Sequence, residues 1–157
     1  MLIEFSVENY LSYKDRMTLS MVATSNTKRL PKNMISHGKL RLLKSAVLYG
    51  PNASGKTNLL KAMNLMKHMV ATSHSHQTGK ELGIEPFMFD KSTRESPSRF
   101  EILFILNDIR YFYGFSADRH KIHDEYLYYY PMGKQRIIFE RSSTNDYNFT
   151  HDAKEQR

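Results

Sequence analysis

No cysteine occurs among the 157 residues of the chain. Disulfides, thiolate metal sites and cysteine nucleophiles are therefore excluded. No apolar stretch reaches the roughly 20 residues that a membrane-spanning helix needs, so no membrane association is expected. The start, Met1-Leu2-Ile3-Glu4-Phe5, lacks a basic segment ahead of an apolar one and alternates early. It does not read as a secretory signal, and the cytoplasm is the expected compartment. No internal repeat is visible. From 28 to 44 there is no acidic residue, while Lys28, Arg29, Lys32, Lys39, Arg41 and Lys44 fall there. Such a stretch suits either a nucleic-acid footprint or a solvated basic loop near an anion site. Aromatic residues do not interleave with it, which removes the stacking platform and favours the solvated loop. The chain is 40% hydrophobic and 25% charged with a formal charge of +7, which suits one globular domain with its own core.

What is present is a phosphate-loop motif. Residues 50–57 read Gly50-Pro51-Asn52-Ala53-Ser54-Gly55-Lys56-Thr57, a complete Gly-x-x-x-x-Gly-Lys-Ser/Thr pattern. The apolar run 45–49 before it predicts a buried strand. Residues 58–70 after it predict a helix, with an apolar stripe of Leu59, Leu60, Met63, Met66 and Met69. Gly50 and Gly55 permit backbone angles that a Cβ forbids, so the loop can turn its N–H groups towards a phosphate. The helix start adds further N–H groups and the positive end of its dipole. Lys56 supplies a mobile cation for the β- and γ-phosphates, and Thr57 a hydroxyl ligand for Mg²⁺. The expected ligand is a nucleoside triphosphate with Mg²⁺. No Asn-Lys-x-Asp guanine motif accompanies it.

Elsewhere the pattern is mostly β. Residues 2–10 alternate, with Ile3, Phe5 and Val7 on one face and Glu4, Ser6 and Glu8 on the other. Residues 17–21 alternate too and are expected to pair with them. Residues 26–40 read as a loop. Residues 73–98 read as connection, with a short edge strand at 85–89. Strands follow over 99–106 and 110–117, joined by a turn at Asn107-Asp108, then over 123–130, 135–141 and 147–150. Their tyrosines and phenylalanines suit a pleated sheet, and a base-stacking face is the less favoured reading. Helix content is low after the first helix, so an antiparallel meander is expected, with two β layers sandwiching or flanking the helix. The tail 151–157 is expected to fray.

Several of these stretches meet in one family. The loop 50–58, ending Lys56-Thr57-Asn58, resembles the Gly-x-Asn-x-Ser-Gly-Lys-Ser/Thr form of ABC-type ATPase heads, including SMC and RecF proteins. Asn9-Tyr10-Leu11-Ser12-Tyr13 resembles the Asn-Phe/Tyr-Arg-Ser-Phe segment that opens those heads. Pro86-Phe87-Met88-Phe89-Asp90, Tyr113-Gly114-Phe115 and Glu125-Tyr126-Leu127-Tyr128 extend the likeness to prokaryotic AAA/ABC-like ATP-binding proteins of phage defence and abortive infection, relatives of the OLD ATPases. The resemblance implies an α/β P-loop NTPase of ABC-head type over 1–150, its N-terminal lobe carrying an antiparallel β-subdomain. It implies ATP and Mg²⁺ held by Gly50, Pro51, Asn52, Ala53, Ser54, Gly55, Lys56, Thr57 and Asn58, with Thr57 on the metal. It also implies self-association of heads and coupling to an effector protein.

Two departures stand out. Leu11 occupies a position where such heads often carry a basic residue. A Walker B strand ending in Asp-Glu, a Ser-Gly-Gly signature loop and a switch histidine are all missing. Asp108 reads as a turn residue, Asp124 and Glu125 as strand-surface residues, and His74 with His76 as a solvated pair. The catalytic carboxylate is thus unassigned. The chain reads as the N-terminal part of a longer ATPase that does not turn over ATP alone. A RecF/SMC-like DNA-repair ATPase, touching DNA through 28–44, and a nucleotide-regulated interaction module without catalysis remain as alternatives.

Overall fold

A computed structural model describes residues 1–24, 31–72, 81–142 and 146–149. Strand β1 (Leu2–Glu8) forms where apolar residues alternate, and β2 (Met17–Ser20) pairs with it antiparallel, Phe5 opposite Leu19. The chain then makes a long excursion. It contains the hairpin β3 (Met34–His37) and β4 (Leu40–Leu43), the phosphate-loop region, helix α1 (Lys56–Thr72) and the short helix α2 (Lys91–Arg94). It returns as a meander: β5 (Ser98–Leu106), β6 (Ile109–Ala117), β7 (Ile122–Tyr130), β8 (Arg136–Ser142) and β9 (Tyr147–Phe149). All join one antiparallel sheet in the order β2-β1-β5-β6-β7-β8-β9. The β5–β6 turn is the expected one. Asn107 and Asp108 have φ of 49° and 62°, the left-handed pair that matches a two-residue connection to strand twist.

Helix α1 lies on one face of the sheet. Its buried residues Leu59, Ala62, Met66 and Met69 recur at helical spacing and pack with Phe5, Val7, Phe100 and Phe115. Phe100 and Phe115 face each other across the strands with ring centroids 5.1 Å apart. Leu60, expected in the stripe, is exposed, and Met63 is only half-buried.

Five expectations are corrected. A bulge between Leu2 and Glu4 reorients the start of β1. Ile3 consequently joins Leu42 and Ile105 in a separate cluster instead of Phe5 and Val7. Residues 31–43, read mostly as loop, form a 3-10 turn (Pro31–Asn33) and the β3–β4 hairpin; Gly38, at φ +56°, lets the chain reverse between them. Residues 85–89 form no strand. Their groups are met singly instead: the Leu11 N–H reaches the Glu85 carbonyl at 2.9 Å, and the Phe87 N–H reaches Asn9 Oδ1 at 3.0 Å. Residues 45–49 are not a buried strand. Val47 is 91% and Tyr49 99% exposed, because no described strand pairs with this run. Two β layers around the helix were expected; among the described residues α1 packs on one face of the seven-stranded sheet, and the second, two-stranded sheet is the β3–β4 hairpin, which meets the larger sheet through Leu42. The expected tail and residues 73–80, with His74 and His76, lie outside the described residues.

Candidate functional site

The phosphate-loop residues link the extended run 45–49 to the first turn of α1, and Lys56 is its first residue. Gly55 has φ +90°, and Ala53 is left-handed at φ 65°, so the loop curls tightly before the helix starts. Lys56 Nζ donates to the Gly50 carbonyl at 2.8 Å and the Pro51 carbonyl at 2.6 Å, with Ser54 Oγ at 3.4 Å. The cation is thus folded across the loop onto oxygens of the loop itself. Pro51, Asn52, Ala53, Ser54 and Thr57 are exposed, so the rim is open to a ligand.

The helix start is anchored from outside the motif. The Gly55 carbonyl accepts the Asn58 N–H at 2.9 Å, the Leu59 N–H at 3.2 Å and the Tyr13 hydroxyl at 2.9 Å. Asn58 Nδ2 donates to Ser12 Oγ at 2.9 Å. The sequence marked Asn9-Tyr10-Leu11-Ser12-Tyr13 by resemblance to the opening of ABC-type heads, but no spacing rule links positions more than 40 residues apart, so the particular Tyr13 and Ser12 contacts come from the structure. Leu11 itself packs against the main core and offers no charge to a ligand. Asn9 fixes the connection: its Nδ2 donates to the carbonyls of Thr93 and Ser96, both at 2.8 Å.

The acidic candidates lie elsewhere. Asp108 is 95% exposed and faces His37 at 3.5 Å. Asp124 accepts from Ser116 and lies 3.4 Å from Arg99. Glu125 accepts the Tyr113 hydroxyl at 2.7 Å and pairs with Arg141 at 2.7 Å. Burial, and then the Glu125 carboxylate, push the Tyr113 phenol well above its usual range, so it stays a donor. Glu125 lines a groove of about 680 Å³ with Met63, Met66 and Ala71. Those positions lie roughly 10–23 Å along α1 from Lys56, given the rise of a helix.

Among the described residues no group of three His, Asp or Glu side chains could hold a metal. The described residues thus offer no protein-only cage, whereas a hydroxyl beside the loop suits an ion that keeps waters and arrives with phosphates, and Thr57 is the exposed hydroxyl residue at the start of α1. Within the basic stretch Lys32, Lys39, Arg41 and Lys44 are all exposed around the β3–β4 hairpin, and Lys28 and Arg29 lie outside the described residues.

Residues 45–154 match the family described as "AAA domain, putative AbiEii toxin, Type IV TA system". The match begins just before the phosphate loop and runs through the meander. No curated protein matches the chain.

Proposed function

The chain belongs to this AAA-type P-loop ATPase family, and we propose that it binds ATP with Mg²⁺ through residues 50–58. The observation that carries this reading is the lysine of a complete motif, folded over the loop by two carbonyls. Those carbonyls are weak partners for a full charge. A triphosphate offers charge-assisted acceptors, roughly twice as strong as neutral ones, so Lys56 exchanges one set for the other. The N–H groups at the start of α1 receive the phosphates, aided by the helix dipole. Thr57 would hold the Mg²⁺ through its hydroxyl, and the ion would supply charge neutralisation to the triphosphate.

The chain acts, in this proposal, as the N-terminal portion of an ABC-like head. The bare run 45–49 supports that reading. Val47, Leu48 and Tyr49 place apolar surface in solvent along the segment that leads into the loop. Parallel strands flanked on both faces have this composition, and strands supplied by the remainder of the head would cover it. ATP hydrolysis belongs to that completed head, with its catalytic carboxylate supplied from outside the described residues. Self-association of two heads around ATP and coupling to an effector follow the same resemblance. The biological role proposed is prokaryotic anti-phage defence, with which the toxin named in the family description is compatible.

Isothermal titration of MgATP into the wild-type chain and Lys56→Ala tests the binding. Saturable binding is expected in the first and loss of at least tenfold in affinity in the second, the scale of a removed charge-assisted contact. Unchanged affinity in Lys56→Ala removes the assignment.

A further inference from the structure

We propose that Tyr13, with Ser12 beside it, is a positioning residue for the phosphate loop; this rests on the nucleotide-binding reading and adds a contact outside the motif. The Gly55 carbonyl already accepts two backbone N–H groups of α1. The Tyr13 hydroxyl is a third donor, at 2.9 Å, from a residue 42 positions earlier. In a trans peptide the C=O and N–H point in opposite directions. Fixing the Gly55 oxygen therefore fixes where the Lys56 N–H points, which is out of the helix start and into the loop.

The approach of the two segments is built into Gly55. A Cβ there would stand 3.1 Å from Ser12 Oγ and 3.3 Å from Tyr13 Oη. Glycine is thus required for its φ of +90° and also for the room it leaves to these two hydroxyls. The Ser12–Asn58 bond ties the first turn of the helix to the same place.

A strut needs a firm base, and this one has it. Tyr10 and Tyr13 exchange both backbone hydrogen bonds at 2.9 Å. The Leu11 N–H is held by the Glu85 carbonyl, and Asn9 by the backbone of residues 87–96. The Tyr13 ring packs against the main core, and burial raises its phenol pKa, so the hydroxyl remains a donor. The connection runs directly into β1 and β2. When Lys56 leaves the Gly50 and Pro51 carbonyls for phosphate, the Gly55 peptide stays pinned to the sheet edge. The loop then keeps its N–H groups aimed while its lysine moves.

Tyr13→Phe removes the hydroxyl and keeps the ring. Its Kd for MgATP is expected to rise about fivefold, the scale of one net hydrogen bond. The phosphorus NMR resonance of the bound β-phosphate is expected to shift as well, which a loss of stability alone does not produce. Tyr126→Phe, which loses a hydroxyl elsewhere in the sheet, is expected to leave both unchanged. Ser12→Ala is expected to change both in the same direction as Tyr13→Phe, and it carries the test if Tyr13→Phe does not fold. Wild-type binding that Lys56→Ala abolishes, with affinity and resonance untouched in Tyr13→Phe, overturns this inference alone. A folded wild-type chain that binds no MgATP overturns the nucleotide reading, and this inference with it.

Discussion

Lys56 and Thr57 stand side by side at the start of α1 but are expected to answer to different tests. Lys56 acts by its own charge, whereas Thr57 is proposed to act through Mg²⁺. Thr57→Ala should therefore weaken ATP binding severalfold in Mg²⁺ and little in EDTA. Equal losses under both conditions would give the hydroxyl another role. Gly114 is a residue whose importance is steric. Tyr126 crosses directly over it to donate to Glu101 at 2.5 Å, and a Cβ at Gly114 would lie 2.5 Å from the Tyr126 hydroxyl. Gly114→Ala should cost about 1–3 kcal/mol, the usual price of overpacking, measured by urea unfolding. A change below about 0.5 kcal/mol, the range of neutral surface substitutions, would mean that Tyr126 moves aside freely. The sequence marked both glycines of the motif, whose spacing is a known pattern. It could not mark the clearance at Gly114, because Tyr126 meets it only through strand register.

Among the elements, the meander was the most legible. Its strands are rich in tyrosine and phenylalanine, its turn carries Asn107-Asp108, and each strand pairs with the next in sequence. The β3–β4 hairpin was hidden because Pro31, Gly38 and the polar residues around its two four-residue strands read as a loop. The sheet also carries a pH response. Burial raises the phenol pKa values of Tyr113, Tyr126 and Tyr128, and Glu125, Glu101 and Glu140, which accept their hydroxyl hydrogen bonds, add to the shift. A raised folded pKa gives stability that is full below the unfolded value of about 10 and is lost as pH climbs past it. Tyrosinate absorbance of these three should consequently appear together with loss of the β-sheet circular dichroism. Smooth ionisation near pH 10, with the sheet intact, would contradict the burial argument.

For the whole molecule, binding and turnover separate. A phosphate grip alone positions no water and stabilises no developing charge. Glu125 is engaged by Tyr113 and Arg141 far along α1, Asp124 by Ser116 and Arg99, and Asp108 is in an exposed turn. The chain alone is expected to release phosphate from ATP no faster than Lys56→Ala. A rate well above that background, lost in Asp108→Ala or Glu125→Gln, would identify a carboxylate that the completed head does not need to supply.

The sequence by itself determined the phosphate loop, the helix behind it and the antiparallel character of the rest, since each is written in short spacings. Only the tertiary structure decided what lies against the loop. Tyr13, Ser12 and Gly55 come together because α1 packs on the face of the sheet that holds β1, a contact between positions some 42 residues apart that no local pattern records. It decided the fate of residues 45–49 as well. Their apolar run looks the same whether neighbours cover it or not, and burial depends on the strands beside a segment, not on the segment alone.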